Sequence, residues 1–197
     1  MVQTRDRGWF VTTRDALAVP VAFLAIIWAI EIADQVLPAQ LDANGINPRT
    51  EDGIAGIALA PLLHDDWSHL IGNSVPLLVL GFLIALSGWR SFVLATAIVW
   101  LGAGVGVWLF AGGYSNHIGA SGIVFGWITY LVLRGIFNRD WRQILVGVGV
   151  ALLYGTALLG VLPGQPGISW QGHLFGALSG IGAAWWLRGS QTSRESF

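Results

Sequence analysis

Residues 91–110 read SFVLATAIVWLGAGVGVWLF, twenty residues without a single charge. At about 1.5 Å of rise per residue, such a helix reaches roughly 30 Å, the thickness of a bilayer's hydrocarbon core. Runs of comparable length recur along the chain, at Ala16 to Leu37, Leu70 to Ser87, Ser91 to Phe110, Gly119 to Phe137, Gln143 to Leu162 and Ser169 to Leu187. With 54% hydrophobic and only 11% charged residues, the 197-residue chain cannot furnish a water-soluble surface. The expected fold is an all-α membrane protein, a six-transmembrane-helix bundle forming one membrane domain over residues 1–197. The first run spans and lacks a small-residue cleavage site, so it reads as a retained helix and not as a removable signal. Outside the six-helix core the expectation leaves a short N-tail at about 1–15, an outer loop at about 38–68 and a C-tail at about 188–197.

Charge orients the bundle. All ten basic residues are arginine, and Arg5, Arg7, Arg14, Arg90, Arg134, Arg139, Arg142, Arg188 and Arg194 fall at the termini or in alternate loops. The positive-inside rule then makes both termini cytoplasmic. Only Arg49 lies on the other side, in the long loop with Asp42, Glu51, Asp52, Asp65 and Asp66. The short apolar stretch Ile57 to Leu63, broken by Pro61, predicts that this loop lies along the membrane interface. Trp67, Trp89, Trp141 and Trp170 fall near span ends and read as interfacial anchors.

Polar residues inside a bilayer are costly, so their positions carry the functional information. In this topology the second, fourth and sixth spans all enter from the outer face, and residues at their starts share one depth. The second begins with His69 and Asn73, the fourth with Gly119, Ala120, Ser121 and Gly122, the sixth with Gln171, Gly172 and His173. Ser121 and His173 supply a nucleophile and a base, the minimum for hydroxyl-based covalent catalysis. His69 and Asn73, four residues apart, share a helix face and offer donors for a developing oxyanion, as do backbone N–H groups at the start of the fourth span. Gly122 and Gly126 on one helix, and Gly172, Gly176 and Gly180 on another, form small-residue faces that allow close approach.

Blander readings stand beside these. Taken alone, the glycine faces read as helix packing, whereas intramembrane histidines read as functional by default. His64 with Asp65, Asp66 and His69 fits no zinc spacing and reads as part of a solvated loop, so no metal is expected. His117, one turn before Ser121, reads as a wet loop residue within reach of a substrate. The sequence has no cysteine, which excludes thiolate chemistry, and there is neither a His-Glu-x-x-His motif nor a pair of spanning aspartates. No cofactor is implied. A basic patch with interleaved aromatics is missing too, which argues against nucleic acid as a partner.

The motifs resemble those of the rhomboid family of intramembrane serine proteases, from about His64 to the sixth span. His69-Leu-Ile-Gly-Asn73 is similar to its His-x-x-x-Asn, Gly119-Ala-Ser-Gly122 to its Gly-x-Ser-Gly, and His173 is followed by Gly176 and Gly180. The resemblance implies a catalytic Ser121/His173 dyad without an acid, with His69 and Asn73 assisting the oxyanion and Phe125 packing on His173. It also implies a mobile connection at Pro163-Gly-Gln-Pro-Gly167. The long loop departs from many relatives in carrying Pro48-Arg49 in place of a Trp-Arg pair. By this reading the partners are membrane-anchored protein substrates and the lipid bilayer, while the compact six-span plan and the positive-inside bias point to a bacterial plasma membrane. Two other functions compete: a catalytically silent relative acting as a membrane-protein chaperone, which would usually lack the serine or histidine, and a small transporter, which would show inverted repeats or broken helices.

Overall fold

The computed structural model describes residues 12–38, 40–165 and 167–189. Arg5, Arg7 and Arg194, three of the arginines that orient the bundle, and Pro166 of the connection before the last helix lie outside the described residues. The chain forms seven α-helices within these limits: α1 Thr13–Val36, α2 Glu51–Leu59, α3 Trp67–Ala85, α4 Trp89–Phe110, α5 Ser121–Asn138, α6 Trp141–Tyr154 and α7 Trp170–Trp186. Short polar residues set several starts by accepting orphan N–H groups of the first turn. Thr12 caps α1, Thr50 caps α2, Asp66 caps α3, Asp140 caps α6 and Ser169 caps α7.

Among the described residues, five helical segments are long and apolar enough to cross a membrane: α1, α3, α4, α5, and α6 continued as a 3-10 turn to Val161. Their exposed side chains are apolar, Val75, Leu101, Leu152 and Leu153 among them, as expected of surfaces solvated by lipid. The sixth apolar run of the sequence is α7, seventeen residues long and inserted against α4 and α5. At the centre stands α5, whose Trp127 is fully buried with the rings of Phe23 and Phe92 at 6.4 and 5.3 Å.

Glycine decides how closely α7 and α5 meet. A Cβ on Gly176 would stand 2.1 Å from the Gly122 carbonyl oxygen, and one on Gly180 would stand 2.0 Å from that of Gly126. The two backbones therefore touch along the faces that the small residues leave open. Thr129 Oγ1 adds a cross-link by donating to the Ala177 carbonyl at 2.7 Å.

The long loop acquires partners here, and two expectations change. The long loop packs on the bundle: Trp100 and Trp108 donate their indole N–H groups to the carbonyls of Ile57 and Thr50 at 2.8 and 2.9 Å, and Gly104 leaves room for Ile57. Arg49 donates to the Leu109 and Ala111 carbonyls, which lie at the end of α4 where no following turn supplies N–H donors, and so ties the loop to that helix. His64 is no solvated loop residue, because the Ala60–Leu62 turn folds it inward until only 1% of it is exposed. Arg134, counted with the loops, is inside α5 and buried, donating to Ser87 Oγ at 2.8 Å.

Candidate active site

The polar clusters at the starts of three apolar runs converge at one end of the bundle. Ser121 is the first residue of α5, His69 lies in the first turn of α3, and His173 lies in the first turn of α7. Ser121, His69 and His173 line a single open cavity of about 670 Å³. Gly119 reaches this point with φ of +106°, a conformation glycine adopts without strain, and its N–H donates to the Ala60 carbonyl at 2.8 Å.

Ser121 Oγ and His173 Nε2 are 2.9 Å apart. The direction of this hydrogen bond follows from the other ring nitrogen. His173 Nδ1 lies 3.0 Å from the Gly160 carbonyl oxygen, which can only accept, so Nδ1 carries the proton and Nε2 accepts from the serine hydroxyl. The Phe125 ring lies parallel to the imidazole, with centroids 3.9 Å apart and planes 10° apart. One side of His173 is thus set by the α5–α7 contact, one face by Phe125 and the far nitrogen by a backbone carbonyl. The Gly160 carbonyl was not legible in the sequence, since it belongs to no side chain. Gly160 itself sits in the 3-10 segment Gly155–Val161 that continues α6, and a Cβ there would press on Phe125 Cζ at 3.0 Å and His173 Nδ1 at 3.1 Å.

The opposite wall comes from α3. The His69 ring edge lies against Gly119, where a Cβ would meet Cε1 at 2.5 Å and Nε2 at 2.6 Å. Asn73 is buried one turn further along, and its Nδ2 donates to the His69 carbonyl at 3.2 Å. One of its two amide hydrogens is thereby engaged within its own helix, and Asn73 does not line the large cavity. Behind them His64 stands edge-on to His69, ring centroids 4.9 Å apart, with Nε2 accepting from the Ala120 N–H at the 3.5 Å limit of such a bond. Burial, reinforced by the neighbouring His69, lowers the His64 pKa to about 4, against the smaller opposing pull of Asp65.

His117, half-buried in the loop before α5, lines the same open cavity and is also bonded at both ring nitrogens. Ser115 commits its hydroxyl hydrogen to the Gly112 carbonyl at 2.7 Å, so at 2.9 Å it accepts from His117 Nε2–H. His117 Nδ1 then accepts from Ser169 Oγ at 2.7 Å, while Ser169 caps α7 through the Gly172 N–H. Burial keeps the His117 ring below the usual histidine range, in keeping with a neutral ring in this directional chain. Through it the loop before α5 is tied to the start of α7, the helix that carries His173. Among the described residues no group of histidines and acids is arranged to hold a metal.

The rhomboid domain family matches residues 52–190 of the chain. An uncharacterized protein of Mycobacterium tuberculosis is 47% identical over 173 residues, covering 84% of this chain and 72% of its own length. Another, of Mycobacterium leprae, is 45% identical over 174 residues, covering 84% of this chain and 68% of its own length.

Proposed function

Since the chain belongs to the rhomboid family, we propose that it is an intramembrane serine endopeptidase, cutting membrane-anchored proteins near the outer face of the bilayer with Ser121 and His173. The observation that carries this reading is the 2.9 Å contact between Ser121 Oγ and a His173 whose tautomer is fixed by Gly160. A serine hydroxyl is a weak nucleophile until a base takes its proton, and here the base presents its lone pair to that hydroxyl. Ser121 Oγ attacks the scissile carbonyl carbon as its proton passes to His173 Nε2. The C–N bond then breaks, with Nε2–H delivering the proton to the departing amine and leaving an acyl ester on Ser121. Water, deprotonated by His173, attacks that ester; the acid product leaves and the serine regains its proton.

The developing oxyanion has donors on two sides. The amides of Ile123 and Val124 already return to the Ala120 carbonyl, which leaves the Ser121 and Gly122 N–H groups at the start of α5 for an anion. His69 and Asn73 add side-chain donors from α3. Stacking on Phe125 and the Gly160 carbonyl do for His173 what a carboxylate does in a triad, namely fix its tautomer and orientation. Gly119, Gly122 and Gly176 support the site by admitting His69 and α7 to contact distance.

In this reading α7 is the sixth span, its seventeen residues reaching about 26 Å, at the short end of what a bilayer requires. Both termini are then cytoplasmic, and residues 12–189 belong to one membrane domain in a bacterial plasma membrane, as befits similarity to mycobacterial proteins. Substrates are segments that leave helical geometry near the outer surface, because a regular helix shields its peptide bonds. The test is labelling by an active-site serine probe in detergent, alongside cleavage of a membrane-anchored model substrate. Wild type is expected to take the label and cut, and Ser121→Ala to do neither. Labelling that persists in Ser121→Ala, or cleavage that survives it, would sink the assignment.

A further inference from the structure

The start of α3 holds a contact that the reaction above does not use. Asp65, two residues before the helix, accepts a hydrogen bond from His69 Nδ1–H at 2.6 Å. Asp66 fixes the turn that makes this possible, its carboxylate taking the His69 backbone N–H at 2.8 Å. The other edge of the ring, with Nε2, lies against Gly119, two residues before Ser121. His64 stands edge-on at 4.9 Å between centroids. Asp65, Asp66, His69, His173 and Asp42 all line the large cavity. The ring is therefore held at one nitrogen by a carboxylate while its second nitrogen faces the loop that delivers the serine.

We infer that Asp65 is a positioning residue for oxyanion stabilisation: by taking Nδ1–H, its carboxylate orients His69 so that Nε2 faces the developing negative charge. The inference rests on hydrolysis by Ser121 as proposed above. Its chemistry follows from the donor inventory. A carboxylate has no proton to give, so Nδ1 carries one, and Nε2 donates to an oxyanion only when it carries a second. The negative charge of Asp65 balances the positive charge that this second proton brings, and charge-assisted donors are the stronger kind. The chain thus has a carboxylate-bound histidine after all, on the oxyanion side of the serine and not on the base side.

The deciding experiment is a double-mutant cycle on cleavage of a membrane-anchored model substrate, using wild type, Asp65→Asn, His69→Ala and the double variant. Asp65→Asn is expected to lower kcat about tenfold with KM changed less than about twofold, because the lost interaction belongs to the transition state. In the His69→Ala background the same substitution is expected to change kcat by less than about twofold. Nitrogen-15 spectra of histidine-labelled protein supply a readout that needs no turnover: the His69 Nδ1 proton signal is expected far downfield in wild type and shifted upfield in Asp65→Asn, whose amide oxygen is an uncharged and weaker acceptor. Equal losses of kcat in both backgrounds, an unaltered kcat in Asp65→Asn, or an unaltered His69 signal would overturn the role of Asp65 while leaving hydrolysis intact. A wild type that neither cuts nor labels, with the His69 signal present, would overturn the hydrolytic reading and the role together.

Discussion

The two walls of the site are built on different physics. His173 is held by uncharged groups: backbone against backbone where α7 meets α5, a parallel phenyl ring, and a hydrogen bond to a main-chain carbonyl at 3.0 Å. Across from it, the α3 wall is polar and ionisable, with His69, His64, Asp65 and Asp66 linked by hydrogen bonds and ring contact. The first wall fixes geometry with groups that do not titrate, so its weak point is volume. The second fixes geometry with charges and protons, so its weak point is pH. Under the proposed mechanism, the contrast teaches that a base and an oxyanion site are oriented by separate means within one cavity.

The largest effect is expected from breaking the first wall at Gly176. A leucine there would drive its Cβ to 2.1 Å from the Gly122 carbonyl, which as backbone cannot swing away. Gly176→Leu is expected to abolish serine-probe labelling and to lower stability by about 3 kcal/mol or more, measured by thermal unfolding in detergent. Labelling at wild-type levels would mean that the seam does not set the dyad.

A smaller break of the same wall is Gly160→Ala. The added methyl meets Phe125 Cζ at 3.0 Å and His173 Nδ1 at 3.1 Å, distances that a shift of a few tenths of an ångström relieves. The outcome expected is a kcat lower by about tenfold with the unfolding temperature nearly kept, since the base is misoriented while the seam stays closed. Loss of stability without loss of kcat would assign Gly160 to packing alone.

The second wall is probed by acid. His64 folds with its pKa lowered to about 4 from the ordinary 6.5, so the unfolded chain binds its proton first as pH falls. Its contribution to stability is complete above pH 6.5 and is lost progressively as pH drops toward 4. Between pH 7 and 5 this amounts to a loss on the order of 1–2 kcal/mol. Protonation would also turn Nε2 into a donor facing the Ala120 N–H. His64→Gln is expected to flatten the pH dependence of unfolding, and an unchanged slope would assign the acid sensitivity to another group.

These walls were not equally legible in the sequence. Hydropathy located the apolar runs, and Ser121, His173, His69 and Asn73 stood out because polar residues are rare in such segments. The glycine faces also announced that two helices approach closely. By contrast His64 sits beside Asp65 and Asp66, which make its surroundings look wet; only the turn at Ala60–Leu62 carries it inside. Asp65 has the right spacing from His69 for contact across a turn, but it precedes the helix, so spacing alone could not establish the pair. Docking of the long loop through Arg49 depends on the free carbonyls at the end of α4, which no residue type encodes.

A backbone carbonyl as the brace of His173 has a genetic consequence. Every residue has that oxygen, so no codon change at position 160 deletes it, and a screen of side-chain substitutions would register only the crowding that a bulkier residue causes. An inhibitor that relies on the orientation of His173 would accordingly meet few escape routes through loss of that brace. Its removal belongs to protein semisynthesis, where an ester in place of the amide between Gly160 and Val161 weakens the acceptor and leaves every side chain as it was.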